Sequence, residues 1–172
     1  MSQEDVLAKS RMMCDIFTSS DMYKYAKIIM LYMPLGNESD TSNIIRTAYA
    51  DGKKVVFPMT DSDSGVITPV YADEDAVFTK GAFSVMEPEK STVADVSDIE
   101  AVIVPGIAYD VEGHRIGFGK GCYDRLLNNF SGVKIGFCYS SQLCESIPTD
   151  EHDICMDYLI TEKGLIECLT QE

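Results

Sequence analysis

Ala101-Val102-Ile103-Val104 is a short apolar run, and after a turn-rich segment it leads into Arg115-Ile116-Gly117-Phe118-Gly119-Lys120-Gly121-Cys122-Tyr123-Asp124-Arg125. A buried strand that runs into a glycine loop and then a helix is how α/β folds hold phosphate beyond the carboxyl ends of a parallel sheet. Gly117, Gly119 and Gly121 let successive backbone N–H groups turn towards one anion with no Cβ in the way. A helix expected from about Tyr123 to Asn129 would add the positive end of its dipole. Lys120, Arg115 and Arg125 supply full charges and forked hydrogen bonds. Asp124 could hold a Mg²⁺ on those phosphates, or it could be an ordinary first-turn carboxylate. The spacing fits neither common nucleotide fingerprint. His114 stands where a Walker glycine would precede Lys120, Gly121 follows that lysine in place of Ser or Thr, and Gly-x-Gly-x-Gly is not the dinucleotide pattern.

Working outward, Ile28-Ile29-Met30-Leu31 marks a buried strand over Lys27 to Met33. Thr41 is expected to cap a helix to about Ala50, closed by Asp51-Gly52, and Lys54 to Phe57 forms the next strand. Strand, helix, strand predicts a right-handed parallel crossover. Glu4 to Phe17, behind a Ser2 cap, has apolar residues at 6, 7, 12, 13, 16 and 17 and reads as an amphipathic helix. The more polar stretch from Thr60 to Val96 has short strands near 66–71 and 76–79, broken by Gly65, Gly81 and Pro88. It reads as excursions and a flap, not a second domain. Strands at 133–138 and near 157–161 complete one α/β domain spanning residues 1–172.

The 28 acidic against 14 basic residues give a net charge of −14, which argues against nucleic acid or acidic membranes as partners. Against that field, the basic cluster from His114 to Arg125 stands out. The chain has no apolar run of about eighteen residues and no signal-peptide pattern, which predicts a soluble cytoplasmic protein. A monomer or weak homodimer is the expected state, though no residue pattern fixes it. The six cysteines form no Cys-x-x-Cys pair and read as reduced thiols. Cys144, His152 and Cys155 lack the tight pair that structural zinc prefers.

With its flanks, the glycine loop resembles a specific signature. Val104-Pro105-Gly106-Ile107-Ala108-Tyr109-Asp110, Gly113-His114-Arg115, the loop itself and Tyr123-Asp124-Arg125-Leu126-Leu127 are similar to the 5-formyltetrahydrofolate cyclo-ligase family. Tyr32-Met33-Pro34, Glu38-Ser39-Asp40-Thr41, Gly52 to Pro58 and Glu87-Pro88 match in order upstream. Ile135-Gly136-Phe137, Gln142, Glu151-His152-Asp153 and the stretch from Asp157 to Thr161 match downstream. The resemblance implies a three-layer α/β fold of the Rossmann-like, NagB/RpiA/CoA-transferase kind, with a mainly parallel sheet and helices on both faces. It also implies ATP- and Mg²⁺-dependent conversion of 5-formyltetrahydrofolate, in mono- or polyglutamylated form, to the 5,10-methenyl product.

By the same resemblance, residues 115–123 (Arg115, Ile116, Gly117, Phe118, Gly119, Lys120, Gly121, Cys122, Tyr123) and Arg125 bind ATP. Met33, Glu38, Phe118 and Tyr123 meet the folate, where the Glu38 carboxylate can accept two hydrogen bonds from an amidine-like N–H pair. Tyr123, Lys120 and Arg115 carry the chemistry, and Asp124 and Asp153 hold the metal. From the residues alone, Tyr123 is equally readable as a helix-face aromatic, Asp153 as a surface turn and Glu38 as a loop charge. Phe118 and Cys122 stand where many relatives have Arg and Tyr. The family's usual basic first helix, with Lys and Arg four apart for the phosphates, has no counterpart, because Ser2-Gln3-Glu4-Asp5 resembles the start of its second helix. Lys9 and Arg11 lie on different helix faces and do not replace that pair. The expectations left open are a start upstream of Met1, activity without those cations, or a non-catalytic nucleotide- or folate-binding relative. Two lost charge-assisted contacts would cost on the order of 3–6 kcal/mol.

Overall fold

In the computed structural model, which describes residues 1–169, the chain opens with helix α1 (Gln3–Thr18). A capping box starts it: Ser2 Oγ accepts the Asp5 amide at 3.1 Å, and the Asp5 carboxylate accepts the Ser2 amide at 3.2 Å. Its buried stripe is Val6, Ser10, Met13, Cys14 and Phe17; Leu7 and Met12, expected on that face, are about half exposed. A short α2 (Asp21–Tyr25), not foreseen, leads to β1 (Ile28–Met30), and the buried Leu31 and Tyr32 extend the chain beyond it. Helix α3 (Ser42–Ala50) begins after Thr41, which holds the N-cap position as expected but makes no side-chain capping bond. The buried Thr41 hydroxyl donates to the Tyr32 carbonyl at 2.8 Å, and Asp40 accepts the Ser42 amide instead. Gly52, at φ +71°, closes the helix as expected.

Strand β2 (Lys54–Thr60) continues three residues past its expected end and includes Pro58. Its pairing with β1 stops at Val56, so Pro58 interrupts no ladder on that side. The polar middle supplies β3 (Ile67–Tyr71), a separate hairpin of β4 (Phe78–Lys80) and β5 (Met86–Pro88), and β6 (Thr92–Val93). Next come β7 (Ala101–Val104), buried at all four residues, and a hairpin of β8 (Ala108–Tyr109) and β9 (Arg115–Ile116). Helix α4 (Cys122–Leu127), β10 (Val133–Phe137), β11 (Tyr158–Thr161) and a hairpin return, β12 (Gly164–Glu167), follow.

The main sheet has the order β12-β11-β10-β7-β1-β2-β3-β6. The strands from β11 to β2 are parallel, and β12, β3 and β6 are antiparallel additions at the edges. Period-two alternation sends Ile29, Val55, Phe57, Ile103, Ile135 and Phe137 to one face, where Met13 and Phe17 of α1, Tyr23 of α2 and Ile44 and Ala48 of α3 cover them. Met30, Val56, Val102, Val104 and Leu159 meet Leu127 of α4, Tyr109 and Met156 on the other. The fold is thus a three-layer α/β sandwich, as expected. From β1 the chain passes to β2 on one side and later returns to β7 on the other, which opens a crevice at the carboxyl ends of β1, β2 and β7. Among the described residues no helix is long and apolar enough to cross a membrane.

Candidate active site

A cavity of about 310 Å³ fills that crevice. Tyr32, Met33, Leu35 and Glu38 line it from the segment after β1, Pro58 and Thr60 from β2, Ile67 from β3 and Pro105 from the end of β7. Arg115, Gly117, Phe118, Lys120, Gly121, Cys122, Tyr123 and Asp124 form the opposite wall, and Phe83 and Val85 reach it from the β4–β5 hairpin.

The β8–β9 hairpin carries the glycine loop, and Asp110 fixes its turn. That carboxylate, 1 % exposed, accepts the amides of Glu112, His114 and Ile147 and lies 3.0 Å from His114 Nδ1. Burial opposes its charge, but His114 and the amides outweigh this and hold its pKa below the ordinary aspartate value. At the same turn Gly113 has φ +91°, and a Cβ there would stand 2.4 Å from the Met156 carbonyl. The hairpin register pairs Tyr109 with Arg115, and the Tyr109 hydroxyl donates to the Val104 carbonyl at 2.7 Å.

Arg115 is thereby driven inward, its side chain only 4 % exposed. One terminal nitrogen donates to the Pro105 carbonyl at 3.3 Å, and the other sits 3.2 Å from both Asp124 oxygens. Its guanidinium lies 5.8 Å from the Tyr123 ring centre, and its buried Nε has no partner among the described residues. Burial pushes the Tyr123 phenol's pKa well up, opposed by the Arg115 cation, so the group stays a neutral O–H at physiological pH. Glu38 is half-buried across the cavity; its carboxylate accepts the Leu35 amide at 2.8 Å, and desolvation raises its pKa despite that bond.

The structure therefore brings Met33, Glu38, Phe118 and Tyr123 to one cavity with Arg115, Gly117, Lys120, Gly121 and Cys122. Three expected ATP residues lie outside its lining. Ile116 is tied into the β8–β9 ladder, and Gly119, at φ +88°, shapes the loop. Arg125 donates to the carbonyls of Lys120 at 2.8 Å, Ser64 at 3.2 Å and Gly65 at 3.0 Å. It clasps the β2–β3 turn to the glycine loop. Helix α4 starts at Cys122 and spans six residues, shorter than expected, so its dipole adds little beside the full charges.

Asp124 borders the cavity, and its Oδ1 accepts the Ile154 amide at 3.4 Å, which brings the Asp153–Ile154 peptide beside it. The Asp153 carboxylate itself is exposed and accepts the Asp150 amide at 2.8 Å. Asp124, on α4 and paired with Arg115, and Asp153, on the loop before β11, are each hard oxygen donors of the kind Mg²⁺ takes, joined here by the Ile154 amide and not by their carboxylates. Among the described residues the one cluster of three close metal donors is the exposed Asp150, Glu151 and His152; Cys144 and Cys155 are not in it, and all six cysteines are free. Pro58, Thr60, Ile67, Phe83, Val85 and Pro105 went unrecognised in the sequence. They are ordinary apolar or small residues, and only the fold places them at the crevice.

Comparison with known proteins agrees with this geometry. The model of the 5-formyltetrahydrofolate cyclo-ligase family matches residues 1–162. The chain is similar to the 5-formyltetrahydrofolate cyclo-ligases of Mus musculus, at 25 % identity over 94 % of this chain and 86 % of the relative, and of Escherichia coli, at 29 % over 83 % and 81 %. The solution structure of Aquifex aeolicus 5,10-methenyltetrahydrofolate synthetase superimposes with a TM-score of 0.86 and 32 % identity, covering 100 % of this chain and 87 % of that one. With the glycine loop on one wall of the cavity and Glu38 on the other, and with the family model matching nearly its whole length, the chain belongs to the 5-formyltetrahydrofolate cyclo-ligase family.

Proposed function

We propose that the protein converts 5-formyltetrahydrofolate to 5,10-methenyltetrahydrofolate with Mg²⁺ and ATP, releasing ADP and phosphate. The observation that carries this reading is one cavity with a cationic glycine loop on one wall and a carboxylate, Glu38, on the other, with Tyr123 among its lining residues. A formamide oxygen is a poor leaving group. Its attack on the γ-phosphorus breaks the bond to the ADP oxygen and leaves a phosphorylated imidate. The neighbouring amine then bonds to the activated carbon, the carbon–oxygen bond breaks, and phosphate departs as the amine proton is lost.

This chemistry demands positioning and charge neutralisation, not a side-chain nucleophile. Lys120, Arg115 and the amides of Gly117, Phe118, Gly121 and Cys122 hold the phosphates, with the Phe118 ring beside them. Glu38 accepts the pterin N–H pair, and Met33 and Phe118 flank the ring. The Tyr123 hydroxyl, kept protonated, donates to the oxygen that becomes phosphorylated. Arg125 acts from outside by bracing the loop. Asp124 and Asp153 would hold Mg²⁺, which supplies further neutralisation of phosphate charge when bound. The reading includes polyglutamylated folates as substrates and a cytoplasmic setting.

Titrating 5-formyltetrahydrofolate and Mg-ATP separately into the protein, then assaying ADP release with both, tests the assignment. Saturable binding of each and ADP release only with both are expected. Binding without turnover would replace the enzyme by a nucleotide- or folate-binding relative.

A further inference from the structure

Phe83 sits 45 % exposed at the tip of the β4–β5 hairpin, in a conformation an L-residue rarely takes. It has φ 53° and ψ 23°, and Ser84 follows at φ 65°, two consecutive non-glycine residues in the left-handed region. Such strain persists only where the surroundings hold it, and it clusters at ligand clamps. Here the Gly81 amide donates to the Val85 carbonyl at 2.8 Å and the Val85 amide to the Ala82 carbonyl at 3.0 Å, closing the turn. Below it, Glu87 accepts the Thr60 amide at 2.9 Å and anchors the hairpin to β2. A Cβ on Gly81 would run into that Glu87 side chain at 2.1 Å, so the hairpin base is closely fitted.

The strained tip places the Phe83 ring under Lys120, whose ammonium lies 4.2 Å from the ring centre. Among the described residues Lys120 has no ion pair and its ammonium makes no hydrogen bond, although the chain carries 28 acidic residues. A ring face differs from a carboxylate in one useful way. It attracts the cation through its quadrupole while leaving N–H donors open to an anion. It also restricts a long side chain that would otherwise lose rotamer freedom on meeting phosphate.

We propose that Phe83 is a positioning residue for Lys120: the ring holds the ammonium over the cavity in advance, so that nucleotide phosphate meets an ordered cation. This rests on the ATP-dependent reading above and adds to it a determinant of nucleotide affinity in a segment remote from the glycine loop. The test is equilibrium titration of ATP, without folate, into the wild type, Phe83→Leu, Phe83→Tyr, Lys120→Ala and the Phe83→Leu/Lys120→Ala double variant. Phe83→Leu is expected to weaken ATP binding about 2- to 5-fold, with Phe83→Tyr near the wild type and no further loss in the Lys120→Ala background. Wild-type ATP affinity in Phe83→Leu, with a loss confined to 5-formyltetrahydrofolate, would overturn the proposal and leave the enzyme reading intact. No saturable ATP binding by the wild type would overturn both. Without any ligand, Lys120 side-chain protons should show an upfield ring-current shift in the NMR spectrum that disappears in Phe83→Leu; its absence from the wild type also contradicts the proposal.

Discussion

Arg115 joins the proposed site to the fold. Its buried guanidinium bonds both Asp124 oxygens and the Pro105 carbonyl and lines the cavity. Arg115→Lys keeps the charge but loses the fork, and we expect kcat/KM to fall about 10- to 100-fold, the loss of one charge-assisted hydrogen bond. Arg115→Ala should also lower Tm in a thermal melt, because Asp124 loses its cation; an unchanged Tm would show that the pair adds nothing to stability. Glu38 gives a pH signature. Its folded pKa is raised by burial, so the folded state holds a proton that the unfolded chain has released, and stability falls as pH rises from the ordinary glutamate value through the raised one. If folate binding uses this carboxylate as proposed, its acid limb should lie above the ordinary value of 4.5. Glu38→Gln should abolish both pH dependences in denaturation and binding measurements. Glu38 and Arg115 were legible as residues of interest, since a charge beside a glycine loop and a carboxylate in a matched segment carry chemical meaning. The Arg115–Asp124 pairing was not, because it depends on a hairpin register.

The same contrast separates the elements. Helix α1, the β1–α3–β2 unit, β7 and β10 have long enough periodic or apolar runs to be read directly. The β8–β9 hairpin has two residues per strand and shows no period, and β12 depends on the return at Gly164, yet both shape the finished sheet system. Thr41 shows how a correct boundary can rest on the wrong bond: the helix starts after it, while its hydroxyl serves the Tyr32 carbonyl. Arg125 links two elements that are far apart in the chain. Arg125→Ala should free the β2–β3 turn, raise the KM for ATP about tenfold and increase proteolysis near Gly65, with Arg125→Lys a poor rescue because one ammonium cannot reproduce the fork. Glu162 ties β11 to the end of β10 and to α1, accepting the Ser140 amide and hydroxyl, each at 2.7 Å, and meeting Lys9 at 3.4 Å. Burial would raise its pKa, but the Ser140 bonds and Lys9 hold it down at about 2 against an ordinary 4.5. Its stabilising effect should be complete above about pH 4.5 and lost as pH falls towards 2, and Glu162→Gln should flatten that part of the acid-unfolding curve.

Taken together, a chain of net charge −14 gathers Arg115 and Lys120 in the lining of one cavity, where the local field must offset the general one to admit a polyanion. The three-layer order and the position of the site at the carboxyl ends of the strands were readable from strand and helix succession. The cavity's remaining wall, from Pro58 and Thr60 to Phe83, was not, because apolar residues in a broken polar stretch show where they belong only once β3 and the β4–β5 hairpin have folded back. The central claim is that the formyl oxygen of the folate accepts the γ-phosphoryl group and leaves with it. The most direct test is to label that oxygen with a heavy isotope, run the reaction with Mg-ATP, and analyse the released phosphate by mass spectrometry. Phosphate carrying one labelled oxygen per methenyltetrahydrofolate formed is the expected result; label found in water, with unlabelled phosphate, would contradict it.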